Sequence, residues 1–257
     1  MTYSCITVER AGATTEISMN LPERRNALGQ AHLDELLGAF REAAASDATG
    51  VILAGNGPVF SAGHDLAEMA GQDLMTMRRL LGTCTELMLL MGRMPQVVIA
   101  RGHGLATAAG CQLVAAADLA VAAQSARFAV PGGRGGWFCT TPMVAVGRAV
   151  PRKRAFELAL CGDPIDATTA EAWGLVNRVV PDEELHAATA ELLGRATRGS
   201  VASRAIGKAA LTHQLGLGID EAYRFATEVM ASASQTADAQ EGMAAFVAKR
   251  DPHFEGR

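Results

Sequence analysis

Residues 96–113 read Gln96-Val97-Val98-Ile99-Ala100-Arg101-Gly102-His103-Gly104-Leu105-Ala106-Thr107-Ala108-Ala109-Gly110-Cys111-Gln112-Leu113. Gln96 to Ala100 is an apolar, β-branched run of the kind that forms a strand buried on both faces. Gly102-His103-Gly104 then turns the chain. Thr107 is the expected N-cap of a helix, and the free amides near Ala108 to Gly110 would add the positive end of a helix dipole. Strand, glycine turn and helix start in succession define an α/β unit.

The same order extends outward. Gly50 to Ala54 is a second wholly apolar strand, followed by a turn-rich loop from Asn56 through Ser61-Ala62-Gly63-His64-Asp65-Leu66. Leu33, Leu36, Leu37 and Phe40 fall at helical spacing before that strand, and Leu74 to Met91 forms another helix ended by Pro95. Cys5 to Val8 and Thr15 to Met19 predict an opening hairpin around Ala11-Gly12-Ala13. Downstream, Leu119 to Ala122 and Leu175 to Val180 are expected as strands, with helices over Pro142 to Val150 and Arg152 to Leu160. From Glu183 to Arg250 the sequence is Ala-rich and helix-prone, with breaks near Gly199-Ser200, Gly216-Leu217-Gly218 and Ser234-Gln235-Thr236. The expected organisation is an α/β core over 1–195 and a helical oligomerisation region over 196–257.

A chain of 257 residues can bury one full core. Its formal net charge of -4 offers no basic stripe, which argues against nucleic acid as a partner. The five cysteines, at 5, 84, 111, 139 and 161, are scattered and read as reduced thiols, and the six histidines lack ligand spacing, so no metal site is expected. The N-terminus has neither a signal-peptide layout nor an Arg-rich transit pattern, and no apolar run reaches membrane-spanning length. These features predict a cytoplasmic protein. An apolar fraction of 49% is compatible with self-association.

The two strand-to-loop junctions suggest a shared chemistry. When the α-carbon of a thioester loses a proton, or its β-carbon is attacked, negative charge collects on the carbonyl oxygen, and preorganised backbone N–H groups meet it well. The amide of His64, at the C-terminal end of the first strand, and the amide of Ala109, at the helix start, are the candidate pair for such an oxyanion hole.

In order and spacing, the segments resemble the crotonase superfamily, the enoyl-CoA hydratase/isomerase family. Asn20-Leu21-Pro22 with Asn26-Ala27-Leu28 is similar to its early substrate-binding loop. Phe60 to Leu66 and Ala109 to Leu113 are similar to its two oxyanion segments. Gly162-Asp163-Pro164-Ile165-Asp166-Ala167, Ala172 to Val176 and Glu241 to Phe246 with Lys249-Arg250 match later landmarks. The resemblance implies a crotonase-like (ClpP/crotonase) spiral core of repeated ββα units with a helical C-terminal oligomerisation region, assembled as a homotrimer or a hexamer of paired trimers. It implies an acyl-CoA thioester ligand, with coenzyme A as part of the substrate and no prosthetic group. Arg24, Ala62, Asp65 and Leu66 are the implied CoA contacts, largely through backbone atoms, and Phe246 and Lys249 are further contacts from the C-terminal helices.

The pattern breaks at the acid-base groups. Family hydratases split water with two glutamates, and those positions hold Gln112 and Gly132 here. An amide cannot exchange protons near neutral pH, and glycine offers nothing. His64 is the first alternative, because imidazole titrates near neutrality. Cys139 is the second, as a nucleophile or acid if its pKa were lowered. Gly-His-Asp at 63–65 also resembles a decarboxylase branch in which the oxyanion hole does most of the work. The readings left open are an acyl-CoA enzyme of the family, a decarboxylase-like member, and a non-catalytic acyl-CoA-binding protein. A dinucleotide fold fails because Thr107 replaces the third glycine of its fingerprint, and no Gly-x-Ser-x-Gly is present for a hydrolase elbow.

Overall fold

The computed structural model describes residues 3–257. Strands β1 (Ile6–Ala11) and β2 (Thr14–Met19) form the expected hairpin, and α1 (Gln30–Ala44) buries Leu33, Leu36, Leu37 and Phe40. After β3 (Gly50–Gly55), a single turn α2 (Leu66–Met69) and the long α3 (Leu74–Arg93) lead to β4 (Val97–Gly102). Helix α3 is capped by Asp73, which accepts from Thr76 N–H. Then come β5 (Leu105–Thr107), α4 (Ala109–Ala116), β6 (Leu119–Ala123) and β7 (Arg127–Ala129). Helices α5 (Pro142–Ala149) and α6 (Arg152–Cys161), strand β8 (Ile165–Asp166), α7 (Ala167–Ala172) and β9 (Arg178–Val180) complete the core.

The main sheet has the order β1-β2-β3-β4-β6-β9, antiparallel between β1 and β2 and parallel elsewhere. Its central strands are apolar throughout because both faces are covered. Val51, Leu53, Val98 and Ala100 face the large core with the side chains of α1 and α3, while Ile52, Ala54, Ile99 and Val121 pack against Leu185 and Leu193. Those two leucines belong to α8 (Leu185–Ala196), which lies on the opposite face. A second sheet, β5-β7-β8, stands beside the first. This is the mixed α/β architecture expected from the sequence.

The C-terminal helices α9 (Val201–Gln214), α10 (Ile219–Ala233) and α11 (Ala237–Ala248) break at the three expected places. Helix α9 is fastened to the core by Lys208, whose ammonium donates to the carbonyls of Met91 (2.7 Å) and Gln96 (2.8 Å) and pairs with Asp118 at 2.7 Å. Burial pulls the Lys208 ammonium below its ordinary range and pushes the Asp118 carboxyl up. Leu215, between α9 and α10, and Ile219, Tyr223, Met230 and Phe246 in the last two helices are exposed. No helix among the described residues is long and apolar enough to cross a membrane.

Two local expectations differ. The strand expected over Leu175 to Val180 is confined to Arg178–Val180, because Gly174, in the left-handed region, and Leu175 close the end of α7. Thr107 is not an N-cap. It ends β5, and the cap position falls to Ala108, which adopts φ 50° and offers no side-chain oxygen.

Candidate active site

Two backbone segments meet at the C-terminal ends of β3 and β4. The first, residues 56–65, is shaped by Asn26. Its buried side chain donates from Nδ2 to the carbonyls of Asn56 (2.9 Å), Val59 (3.0 Å) and Phe60 (3.1 Å) and accepts from Leu21 N–H at 2.9 Å. Ser61 Oγ donates to the Asn26 carbonyl (2.8 Å) and accepts from Gly63 N–H (3.2 Å). Asn26 sits in the left-handed region, which its short amide side chain tolerates. One side chain thus holds three carbonyls spread over residues 56–60.

On one edge, Leu28 N–H donates to the Gly63 carbonyl and Asp65 N–H to the Leu28 carbonyl, forming a parallel bridge between Leu28 and His64. In such a bridge the central residue turns its own N–H to the other side. On that other side lies the second segment. Ser61 N–H donates to the Leu105 carbonyl and Thr107 N–H to the Ser61 carbonyl. Ala108 N–H is taken by the Ala129 carbonyl, and Ala109 opens α4. Among the described residues, neither His64 N–H nor Ala109 N–H has a hydrogen-bond acceptor.

Glycine makes the approach of the two segments possible. A Cβ at Gly63, where φ is +81°, would lie 2.7 Å from the Thr107 carbonyl oxygen and 3.1 Å from the Ala109 nitrogen. A Cβ at Gly110 would lie 2.5 Å from the Ser61 carbonyl oxygen. These neighbours are backbone atoms fixed by the strand, bridge and helix start they belong to, so they cannot yield cheaply.

The junction opens into a cavity of about 640 Å³. Ala62, His64, Leu66, Thr107 and Ala108 line one side; Pro131, Gly132, Arg134, Trp137, Phe138 and Cys139 line the other. Among the described residues, no carboxylate lines it. Its titratable groups are His64, Arg134 and Cys139. The buried His64 ring faces the Leu28 carbonyl through Nδ1 at 3.4 Å, and Nε2 is unpartnered. Burial pulls its pKa below the ordinary 6.5, against a weaker opposing effect of the Leu28 carbonyl, so the ring is neutral at neutral pH. Arg134 is paired with Asp163 at 2.5 Å at the exposed rim. Burial pushes the Cys139 thiol up, with the Gly132 amide acting in the other direction.

The remaining expected residues divide. Gln112 is buried in α4 rather than in the cavity lining, and its Oε1 has no donor. A Cβ at Gly132 would collide with the Trp137 carbonyl oxygen and lie 2.5 Å from Cys139 Sγ. Ala62 and Leu66 line the cavity. Arg24 and Asp65 form an ion pair with each other, and Asp65 also caps α2 through Ala67 N–H (3.1 Å) and Glu68 N–H (3.2 Å). Phe246 and Lys249 do not line the cavity; Phe246 is 85% exposed and Lys249 terminates α11 in the left-handed region. Sequence reasoning placed Asn26 only in a resemblance to a substrate-binding loop and missed its part as a clamp on residues 56–60. It also missed the lining role of Arg134 and the orphaned hydroxyl of Thr107. Among the described residues no group of three or more His, Cys, Asp or Glu is placed to hold a metal.

With this fold and cavity, residues 9–257 match the enoyl-CoA hydratase/isomerase family model, and the chain belongs to that family. Its relatives include mouse (Mus musculus) enoyl-CoA hydratase domain-containing protein 3, mitochondrial, which is 43% identical over 240 residues, covering 92% of this chain and 79% of the relative. Among solved structures, the enoyl-CoA hydratase of Mycobacterium smegmatis superposes with a TM-score of 0.94 at 41% identity, covering 97% of this chain and 98% of that one. Human enoyl-CoA hydratase domain-containing protein 3 gives 0.93 at 38% identity, covering 97% and 100%. The animal relatives are named mitochondrial proteins, which overturns the cytoplasmic placement expected from the N-terminal sequence. An N-terminal composition argument is weak against a location carried by proteins alike over nine-tenths of the chain.

Proposed function

We propose that the cavity binds an acyl-CoA thioester with its carbonyl oxygen between the amides of His64 and Ala109, and that these amides stabilise an enolate. The observation that carries this reading is the pair of acceptor-free N–H groups on two segments pressed together at Gly63, next to the cavity that His64 and Ala108 line and that Ala109 adjoins in sequence. Each such donor contributes about 2.7–4 kcal/mol of transition-state stabilisation. The acyl chain lies against Trp137 and Phe138. The CoA arm runs past Ala62 and Leu66, with the Arg24–Asp65 pair holding that segment in place. Phe246 and Lys249 reach a nucleotide from a neighbouring copy in a trimer or a pair of trimers, an assembly supported by the exposed apolar side of the last three helices.

Two-carboxylate hydration of an enoyl-CoA does not fit a cavity lined by no carboxylate. A second reading, binding without turnover, is favoured by the same fact. The deciding experiment incubates the protein with enoyl-, hydroxyacyl-, malonyl-type and saturated acyl-CoAs and follows every CoA species by mass spectrometry, beside calorimetric binding. Ala109→Pro removes one N–H at a first-turn position where proline is otherwise accepted. If that variant keeps its thermal midpoint and also its acyl-CoA affinity and turnover, the assignment of the hole is wrong. Binding without any product selects the second reading.

A further inference from the structure

A planar trans peptide points its C=O and N–H in opposite directions, so each amide of the pair is aimed by whatever holds the carbonyl of its own peptide unit. For Ala109 that carbonyl is Ala108, which accepts from Gln112 N–H at 3.0 Å as the first bond of α4. For His64 it is Gly63, which accepts from Leu28 N–H at 2.8 Å. Leu28 N–H shares its peptide unit with the Ala27 carbonyl, and that carbonyl faces His32 Nδ1 at 3.0 Å. A carbonyl oxygen only accepts, so the ring proton sits on Nδ1 and His32 is the donor. The bonds therefore run in series from the His32 ring through two peptide units, Ala27–Leu28 and Gly63–His64, to the free His64 N–H. We propose that His32, which is not among the residues lining the cavity, is a positioning residue for the oxyanion site: it aims and polarises the His64 amide through those two peptide units.

The two amides differ in what stands behind them. Ala109 is backed by the hydrogen-bond ladder of a helix. His64 lies in a loop, and the bonds on the far side of Leu28 are long: its carbonyl accepts from Asp65 N–H at 3.3 Å and faces the His64 ring at 3.4 Å. On the near side, Ser61 Oγ holds the Asn26 carbonyl at 2.8 Å, which leaves the Ala27–Leu28 unit between two junctions. Rotation of that unit would swing Leu28 N–H off Gly63, and the His32 bond opposes it at the carbonyl end. The ring is 1% exposed, and its Nε2 has no hydrogen-bond partner among the described residues. A bare buried nitrogen costs stability, so an apolar side chain would serve packing better, and what the imidazole adds is the Nδ1 donor. Bonds in series also strengthen one another, by about 10–30% each, so losing the first weakens the last donor as well as loosening it.

The inference rests on the oxyanion reading above, and the test separates the two. Butyryl-CoA labelled with 13C at the thioester carbonyl is bound to the full chain, and isotope-edited infrared spectra read the carbonyl stretch of free and bound ligand. Wild type, His32→Leu and His32→Asn are compared, with acyl-CoA affinity and thermal midpoint alongside. The Asn amide can donate from the place of Nδ1, whereas Leu fills the space without a donor. The expected result is a shift of the bound carbonyl to lower wavenumber in the wild type. His32→Leu should lose about a fifth or more of that shift while still binding, and His32→Asn should recover most of it. Equal shifts in the wild type and the Leu variant overturn the role of His32 alone. So does an equal loss in Leu and Asn, which would mark mere packing. If the variants fail to fold, 15N spectra of the wild-type ring decide: a proton on Nδ1 supports the proposal, and a proton on Nε2 instead overturns it. Binding by the wild type without any shift refutes the oxyanion reading and the inference with it. Absence of binding overturns both.

Discussion

The two walls of the cavity are built by different means. At the junction of residues 60–64 with 105–110, position is fixed by backbone hydrogen bonds, the Asn26 clamp, and glycines pressed against carbonyl oxygens. Across the cavity, residues 131–141 are a glycine-rich loop carrying half-exposed Trp137 and Phe138, with backbone bonds made within the segment and to the helix start after it. The first wall can hardly change without unmaking the fold, whereas the second, apart from Gly132, carries exposed side chains that can be exchanged at small cost. Of the two positions where the family resemblance implies glutamates, Gly132 lies on this second wall, while Gln112 is buried in α4 next to the first.

The comparison can be broken most directly at Gly63. Gly63→Ala places a Cβ against two backbone groups and forces a left-handed alanine. We expect a loss of about 3 kcal/mol in stability and at least a hundredfold in acyl-CoA binding or turnover. A variant with wild-type melting and binding would show that the junction is not locked. Asn26→Ala should come next, at about 2–3 kcal/mol, because three carbonyls and the Leu21 N–H lose their partner together. Chemical denaturation measures it, and a change under 1 kcal/mol would remove the clamp from the argument.

Across the cavity, Gly132→Glu should fail to confer enoyl-CoA hydration, since the side chain has no room; the readout is hydroxyacyl-CoA formation. Appearance of that product in a stable variant would refute the filled-space reading. A pH series sharpens the same contrast. His32 and His64 are buried and hold their pKa below the ordinary 6.5. The unfolded chain therefore binds more protons than the folded one just below pH 6.5. Stability should fall as pH drops from about 7 towards 5, and His64→Gln should flatten part of that slope in thermal midpoints. A slope of opposite sign, or one unaffected by the substitution, would sink the idea. The smallest stability effect is expected for Trp137→Ala, about 0.5–1 kcal/mol, with acyl-CoA affinity reduced several-fold. Global unfolding of that variant would erase the distinction between the walls.

Most of the architecture was legible because its signals are long. The apolar runs at 50–54 and 96–100 have no solvent-facing alternative, so a sheet covered on both faces followed directly, and the breaks between C-terminal helices carry glycine, serine or threonine. The second sheet escaped notice because β5, β7 and β8 span three, three and two residues, too short for any periodicity. Ala109 was identifiable as a candidate donor through its glycine neighbour and the strand before it. Thr107 misled, since a hydroxyl ahead of an apolar run reads as a cap whether or not the helix starts one residue later. No local pattern reveals that Asn26 reaches a loop thirty to thirty-four positions away, or that Cys139 stands over Gly132. Those facts belong to tertiary contact.

Lys208 gives the fold a direction in time. Asp118 and the carbonyls of Met91 and Gln96 are synthesised well before the ammonium that neutralises and binds them. Until α9 has emerged and docked, Asp118 has no counter-charge, and it is docking that brings the ammonium to a carboxyl whose burial in the finished fold would be costly without it. The helical region thus acts as the closing step of assembly, and a nascent core reaches full stability only once the later part of its own chain has arrived.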